Sequence, residues 1–315
     1  MKNETINKLC GVIPAICTPM DEDGSINYSL LEKQADYLIS AGVHGLFACG
    51  GTGEGAYLTS AEKREVFKCL RSVAGKKIFL CLAVINSNTA ATLQEMKYLQ
   101  DCDADFIVST TPYYHSANQY VIREHFKEVI ANAAAPVIIY NIPSATHNPI
   151  ELNTILELSE YDNVAGVKDS SGDFCQFSRG LFGPRKDRFA WIQGEDYLCA
   201  PSLLSGANGM VSGLCNAKAE PYVEMYQASI AGDTEKVKKC QDRINYMYKV
   251  ISCGGYANGN AAIKAVGELY GRGSRFMREK GLTLQDEQFE TVKKIMEEYE
   301  QICHAACSIL QSGNY

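Results

Sequence analysis

The sequence predicts an α/β protein, a closed (β/α)8 TIM barrel followed by a C-terminal helical extension. Three observations lead to this fold class. Eight short apolar runs recur up to about residue 214, amphipathic stretches separate them, and most of the runs are continuously apolar rather than alternating. Parallel strands covered by helices on both faces show such continuous runs. A doubly wound open sheet is the alternative, but no Gly-x-Gly-x-x-Gly follows the first run, so we prefer the barrel.

The eight apolar runs are interpreted as the strands of the barrel. Each is rich in Val, Ile, Leu, Phe, Ala or Cys. They cover residues 12–18, 45–49, 78–85, 106–110, 137–141, 164–168, 189–193 and 209–214. In such a barrel the active site lies at the carboxyl ends of the strands, so the residues that close each run are the candidates for function.

The stretches between the runs predict helices with recognisable ends. Residues 28–40 close on Gly42, and residues 59–62 (Thr-Ser-Ala-Glu) form a capping box that opens a helix ending near Gly75. Further helices are predicted at 89–99, 119–133, 151–160, 173–181 and 197–205, and then, with no further strand, at 219–231, 234–253, 261–270 and 286–307. We therefore divide the chain into a catalytic barrel, residues 1–219, and a helical extension, residues 220–315.

The composition favours small-molecule chemistry in the cytoplasm. A net charge of -7 and the lack of a sustained Lys/Arg run argue against nucleic-acid and membrane partners, and no apolar run is long enough to span a bilayer. The thirteen cysteines include no Cys-x-x-Cys pair and are expected to be reduced core thiols. Because the five histidines show no metal-ligand spacing, we expect no metal site, and we expect no cofactor.

The candidate chemistry centres on Lys168, which ends the apolar run Val-Ala-Gly-Val (164–167). Apolar surroundings penalise an ammonium group and favour the free amine, the form that attacks a carbonyl to give a Schiff base. On this stretch alone a surface lysine is the commoner outcome, since charged residues usually lie outside. The residues that close the other runs are therefore needed to distinguish a reactive buried lysine from a surface lysine.

Three other run ends carry polar or glycine-rich motifs: Gly-Gly-Thr-Gly-Glu (50–54), Thr-Pro-Tyr-Tyr (111–114) and Tyr-Asn-Ile-Pro (140–143). Neighbouring strands lie about 4.8 Å apart, so Tyr140 and Lys168 can both project into the barrel mouth, where a phenol can move protons for the amine. The glycine-rich turn can offer successive N–H groups to a carboxylate. The alternatives are a tyrosine that fills the barrel mouth and a tight turn that needs glycine for its backbone angles.

Together with Gly-Val-Lys-Asp (166–169), these strand-end motifs resemble those of the dihydrodipicolinate synthase and N-acetylneuraminate lyase family of pyruvate-dependent class I aldolases, over nearly the full chain. The resemblance implies that Lys168 is the Schiff-base lysine and Tyr140 the proton carrier. It also implies that the N–H groups of Gly51 and Thr52, with the Thr52 hydroxyl, hold the carboxylate of pyruvate or another 2-oxo acid. Glu54 is expected to brace the loop.

The same resemblance implies a homo-oligomer, a dimer or a tetramer. Tyr114 would reach the active site of a neighbouring subunit and join its proton relay, although a loop packed on aromatic side chains explains Thr-Pro-Tyr-Tyr equally well. Val211, in the motif Gly-Ala-Asn-Gly-Met-Val-Ser (206–212), would line the pocket beside the lysine. Ordinary barrel packing is the alternative for this residue.

The substrate is where the sequence departs from the family pattern. Dihydrodipicolinate synthases place a relay threonine where this chain has Gly51, and an arginine after Tyr-Asn-x-Pro where residues 144–146 (Ser-Ala-Thr) offer no cation. The acidic sugar-binding residue of N-acetylneuraminate lyases aligns near Tyr197, and their threonine two residues beyond the lysine is Ser170. The Gly-Gly-Thr-Gly-Glu form resembles that of sugar-acid dehydratases and 2-keto-3-deoxy sugar-acid aldolases of the same family. We therefore expect cleavage or formation of a C–C bond between pyruvate and an aldehyde, on a 2-keto-3-deoxy sugar acid or a similar 2-oxo acid.

Two alternatives remain: 4-hydroxy-tetrahydrodipicolinate (dihydrodipicolinate) synthase of lysine biosynthesis, and a non-catalytic paralogue that binds a 2-oxo acid. Retention of both a nucleophile and a proton carrier argues against the second. The candidate side chains for binding substrate hydroxyls are Ser170, Glu195, Asp196 and Asn208.

Overall fold

Eight parallel strands form a nearly closed barrel in the computed structural model, which describes residues 9–183, 189–253 and 255–312. The strands are β1 (Gly11–Pro14), β2 (Gly45–Ala48), β3 (Phe79–Ala83), β4 (Phe106–Thr110), β5 (Val137–Asn141), β6 (Val164–Asp169), β7 (Ala190–Gln193) and β8 (Gly209–Ser212). Each strand from β2 to β7 pairs with the next, and β8 pairs with β1. Between β1 and β2, His44 N donates to Val12 O at 2.9 Å and Ile16 N to Phe47 O at 3.1 Å. The predicted (β/α)8 barrel is confirmed; residues 1–8 and 184–188 of its predicted range lie outside the described residues.

Helices alternate with the strands and then continue beyond them. They are α1 (Tyr28–Ser40), α2 (Ser60–Ala74), α3 (Thr89–Tyr98), α4 (Gln119–Asn132), α5 (Pro143–Thr146), α6 (Leu152–Leu158), α7 (Phe174–Phe182), α8 (Cys199–Leu204), α9 (Glu220–Ala231), α10 (Thr234–Met247), α11 (Lys249–Cys253), α12 (Gly255–Leu269) and α13 (Asp286–Ser312). The predicted capping box is present, since the Thr59 hydroxyl accepts from Glu62 N and the Glu62 carboxylate accepts from Thr59 N.

Several elements differ from the prediction. The first strand ends at Pro14 instead of residue 18. The helix predicted at 234–253 is interrupted at Tyr248, whose ring packs on that of Tyr197 with 4.3 Å between centroids. This contact brings together residues far apart in the chain, and no local sequence signal announces it. The short helix α5 was not predicted, although Pro143 occupies a position at its start that favours helix initiation.

The core has two parts, one inside the barrel and one between the barrel and its helices. Alternate side chains point inwards, and the interior set includes Ile13, Phe47, Cys81, Phe106, Val108, Ile138, Tyr140, Ile192 and Val211. The intervening side chains, such as Leu46, Val167 and Trp191, pack against the helices. Because successive residues of a strand face opposite sides, this alternation fixes which strand-end residues point into the barrel mouth.

The C-terminal helices are fastened to the barrel over long sequence distances. Helix α9 packs against β1. The Arg272 guanidinium donates to the Gln34 side chain and to the carbonyls of Asn216 and Ala217, and the Ser274 hydroxyl accepts from Met20 N at 3.0 Å. The division at residues 219 and 220 stays a prediction. In the described part of the chain, no helix is long and apolar enough to cross a bilayer.

Candidate active site

Lys168 and Tyr140 lie side by side at the mouth of the barrel. They are register partners on β6 and β5, and each side chain is about 5% exposed. Lys168 Nζ lies 3.9 Å from the centroid of the Tyr140 ring and 4.8 Å from that of Phe47. The amine is thus held among aromatic rings rather than in solvent, with a phenol on the neighbouring strand.

A close approach of the β7 loop to residues 168–170 leaves room only for glycine at position 194. A Cβ at Gly194 would lie 3.0 Å from Lys168 Cε and 2.1 Å from Ser170 Oγ. The Ser170 hydroxyl donates to the Gly194 carbonyl at 3.3 Å, which places Ser170 beside the lysine. Behind them, Asn141 Nδ2 donates to the Asp169 carboxylate at 2.9 Å and ties the ends of β5 and β6 together.

The glycine-rich turn after β2 faces Lys168 across the barrel, because β2 and β6 are four positions apart in a ring of eight. Among the described residues, no acceptor takes the N–H groups of Gly51 and Thr52, whereas Glu54 N donates to Gly51 O. Cys49 and Glu54, near the two ends of the turn, have left-handed φ angles of 58° and 56°. Such angles are unfavourable for residues other than glycine and must be held by surrounding contacts. The turn presents open donors in a fixed shape suited to an anion.

Contacts from the C-terminal segment hold this turn in place. Lys264 Nζ forms a fully buried ion pair with Glu54 Oε1 at 2.6 Å, and Arg278 N donates to Glu54 Oε2 at 2.9 Å. Asn260 Nδ2 donates to the Gly51 carbonyl at 3.2 Å. Burial lowers the pKa of Lys264. Glu54 is therefore engaged in support of the loop, as its expected role requires.

Thr52 packs on the β8 loop, so that the turn also depends on Gly213. A Cβ at Gly213 would lie 2.5 Å from Thr52 Oγ1. One strand position before the end of β8, Val211 lines a narrow apolar pocket that also contacts Lys168 and Phe47. The structure thus brings Lys168, Tyr140, Val211 and the turn of Gly51 and Thr52 to one end of the barrel.

Tyr114 stands apart from this group in the single chain. It is 83% exposed, has a φ of 79°, and its ring contacts that of His115 with 4.9 Å between centroids. A positive φ on an exposed aromatic residue is unusual. Tyr114 lies in the loop that follows β4, at the carboxyl end of that strand.

Two of the candidate hydroxyl-binding residues, Asp196 and Asn208, have their side chains engaged in hydrogen bonds within the protein. Asp196 lies behind the mouth, where its carboxylate accepts from the hydroxyls of Ser212 and Tyr222, and burial raises its pKa to about 6. The prediction for Asn208 is wrong. This residue precedes β8 at the amino ends of the strands, and its side chain accepts from Trp191 N at 3.0 Å.

Comparison with known proteins agrees with this geometry. The model of the dihydrodipicolinate synthetase family matches residues 8–299 of the chain. This chain belongs to the dihydrodipicolinate synthetase family. A relative from Methanospirillum hungatei, named 4-hydroxy-tetrahydrodipicolinate synthase, is 30% identical over 292 residues, 92% of this chain and 99% of the relative.

Solved structures of this family superpose closely on the barrel. The dihydrodipicolinate synthase from Bacteroides thetaiotaomicron matches with a TM-score of 0.86 and 26% identity, covering 92% of this chain and 98% of its own. That from Acinetobacter baumannii, complexed with pyruvate, matches with a TM-score of 0.84 and 26% identity, covering 93% and 99%. The chain is a lyase of the pyruvate-dependent class I aldolase type, as the family motifs predicted.

Three residues at this end of the barrel were not identified from the sequence. Gly194 and Lys264 act through close approach and ion pairing with residues that the sequence does not place nearby. Thr110, the last residue of β4, is the register partner of Tyr140 and shares its inward face. Alternation along the predicted strand would have identified Thr110, because Phe106 and Val108 point inwards.

Proposed function

We propose that the chain forms a Schiff base between Lys168 and the carbonyl of pyruvate or a related 2-oxo acid, and makes or breaks the C–C bond to an aldehyde. The supporting observation is the buried Lys168 amine, which lies 3.9 Å from the Tyr140 ring centroid and opposite the open N–H groups of Gly51 and Thr52. A 2-oxo acid spanning this gap has its carboxylate at the turn and its carbonyl at the amine.

The reaction steps then follow from the positions of the groups. The amine adds to C2, the carbonyl oxygen is protonated, and loss of water leaves an iminium that can accept electrons from the C3–C4 bond. In the cleavage direction the aldehyde departs, C3 takes a proton, and water releases pyruvate from the lysine. Tyr140 is the group that carries protons to and from the substrate oxygen.

The aldehyde portion of the substrate is proposed to be uncharged and hydroxylated, as in a 2-keto-3-deoxy sugar acid. Between each strand and the next α-helix of the barrel, the described loops contain no arginine, and their lysine is Lys218, which pairs with Glu300. A second substrate carboxylate would thus lack a cationic partner at the barrel mouth. Hydroxyl-bearing and acidic side chains, including Ser170, lie there instead.

A second candidate is 4-hydroxy-tetrahydrodipicolinate synthase itself, in which the partner of pyruvate is aspartate semialdehyde. The names of relatives at about 30% identity favour it. The two candidates separate in one assay, in which pyruvate with aspartate semialdehyde is compared with 2-keto-3-deoxy sugar acids at equal enzyme concentration. The substrate with the higher kcat/KM identifies the reaction.

The Schiff base is tested by incubation with pyruvate and borohydride, followed by intact mass and peptide mapping. We expect a reduced pyruvyl adduct on Lys168 that is lost in Lys168→Ala, while the mass of the Lys63→Ala control, which removes another buried lysine, still increases. Adduct formation without turnover of any aldehyde or sugar acid would favour the non-catalytic paralogue. An unmodified Lys168 in folded protein would refute the proposal.

We also propose a cytoplasmic homo-oligomer, a dimer or tetramer, in which Tyr114 reaches a neighbouring copy. Its 83% exposure and left-handed backbone support this role, since a contact in the assembly would account for both. Light scattering after size exclusion tests the assembly. A monomer at working concentration with full activity would exclude a role for Tyr114 between subunits.

A further inference from the structure

Strands β4 and β8 line the two sides of the barrel mouth between Lys168 and the glycine-rich turn. In the ring of eight strands, β4 faces β8, halfway between β2 and β6. Thr110 ends β4 on its inward face, beside Tyr140 on β5. Val211 stands on β8 opposite. A 2-oxo acid lying between Lys168 and the turn therefore has Thr110 and Tyr140 on one side and an apolar wall on the other.

The hydroxyl of Thr110 is buried without a partner. The residue is 3% exposed, and among the residues that the structure describes no group hydrogen-bonds its Oγ1 atom. Its two neighbours differ: the Ser109 hydroxyl donates to Val84 O at 3.1 Å and the Thr111 hydroxyl to Asn148 O at 3.1 Å. An unpaired buried hydroxyl opposes folding, whereas valine would fill the same space without that penalty.

The backbone of Thr110 is fixed from behind. His125 Nε2 lies 3.0 Å from the Thr110 carbonyl, and its Nδ1 lies 3.0 Å from the Thr89 hydroxyl. Because a carbonyl only accepts, Nε2 carries the proton and Nδ1 accepts from Thr89. The strand end is thereby held so that the unpaired hydroxyl stays on the inner face, at the level of Tyr140 and Lys168.

We infer that Thr110 is a substrate-binding residue whose hydroxyl donates to the oxygen on C2 of the 2-oxo acid; this rests on the proposed Schiff-base function. As the lysine nitrogen bonds to C2, the carbonyl π electrons move to that oxygen, which takes a proton and later leaves as water. Tyr140 moves the proton, and Thr110 holds the oxygen on the polar side of the site. The hydroxyl thus selects the face of C2 from which water departs.

The test compares three variants of the full chain by pyruvate and borohydride trapping over a range of pyruvate concentrations. Thr110→Val removes the hydroxyl with little change in shape, Thr110→Ser keeps a hydroxyl, and Thr111→Val is the matched control, a neighbouring threonine whose hydroxyl has a protein partner. We expect Thr110→Val to raise the half-saturating pyruvate concentration about three- to tenfold, as the loss of one neutral hydrogen bond does. Thr110→Ser should remain within about twofold of the unmodified protein, and Thr111→Val should leave the pyruvate dependence unchanged.

Thermal unfolding without pyruvate supplies the structural control. Thr110→Val should melt at or above the temperature of the unmodified protein, whereas Thr111→Val should melt lower because Asn148 O loses the shorter of its two hydrogen bonds and keeps the one from the Thr146 hydroxyl at 3.4 Å. The inference would be overturned if Thr110→Val left the half-saturating pyruvate concentration unchanged, or if Thr110→Ser raised it as much as Thr110→Val does. Neither result would contradict the proposed Schiff base. If the unmodified protein forms no adduct at all, the proposed function itself fails, and the two failures are therefore distinct.

Discussion

Replacing Lys264 by methionine should destabilise the protein far more than the loss of an ordinary ion pair. Lys264 and Glu54 are each about 1% exposed at the side chain, and their charged atoms are 2.6 Å apart. Methionine has a similar length but no charge, so Lys264→Met leaves the Glu54 carboxylate buried with Arg278 N as its remaining donor. Breaking a buried pair from one side costs about 3 to 5 kcal/mol.

The expected change in melting temperature follows from that free energy. At about 2 °C per kcal/mol for a chain of this size, Lys264→Met should melt roughly 6 to 10 °C lower. The matched control is Lys238→Met, since Lys238 pairs with Glu235 at a similar distance of 2.8 Å but the two side chains are 64% and 72% exposed. Solvent screens an exposed pair, so Lys238→Met should melt within about 2 °C of the unmodified protein.

A double variant tests whether the unpaired charge is the cause. Glu54→Gln combined with Lys264→Met removes both charges and should recover at least half of the lost melting temperature, because no uncompensated carboxylate then remains. Calorimetry of the three variants at pH 7 makes the comparison. A shift in Lys264→Met no larger than that in Lys238→Met, or a double variant as unstable as the single one, would refute the reasoning.

Three further substitutions have defined outcomes. Tyr140→Phe should keep the fold, since its ring still packs on Phe47, but should slow adduct formation about 10² to 10⁴-fold, and trapping at the normal rate would contradict proton transfer by Tyr140. Burial raises the pKa of Asp196 from 3.8 to about 6. Between about pH 4 and 6 the carboxyl ionises in the unfolded chain before it does so in the folded protein, so the protein should lose stability relative to Asp196→Asn as the pH rises through this range. Melting temperatures of the two proteins that change in parallel with pH would exclude this. Burial lowers the pKa of His125 from 6.5 to about 4, so the stability of the protein relative to His125→Gln should fall as the pH drops from about 6.5 to 4. If the two proteins lost stability equally in acid, the imidazole ring would titrate normally.

Local signals in the sequence were enough to predict much of the barrel. Strands β4 and β5 have their predicted bounds, because continuous apolar runs there end at polar or proline-containing motifs. The capping box at Thr59 likewise depends on neighbouring residues alone. Lys168 and Tyr140 could be placed together because the order of parallel strands determines which strand ends are adjacent.

Contacts between segments far apart in the chain could not be predicted from local sequence signals. The pairing of Glu54 with Lys264 spans 210 residues, and nothing in either local sequence indicates it. Asn208 was misassigned because it belongs to a strand-eight motif but precedes the strand, whereas residues at or after the carboxyl end of a strand reach the catalytic end of the barrel. Strand alternation places Thr110 on the inward face, but the structure is needed to show that its hydroxyl has no partner among the described residues, which makes it a candidate for binding.

The ion pair between Glu54 and Lys264 also orders events during synthesis of the chain. At about 5 to 20 residues per second, Lys264 leaves the ribosome roughly 10 to 40 s after Glu54, which it follows by 210 residues. Until then the glycine-rich turn lacks the cation that neutralises its buried carboxylate. A nascent chain that has completed all eight strands therefore still has a glycine-rich turn without its supporting contacts, and these form only as the C-terminal helices dock.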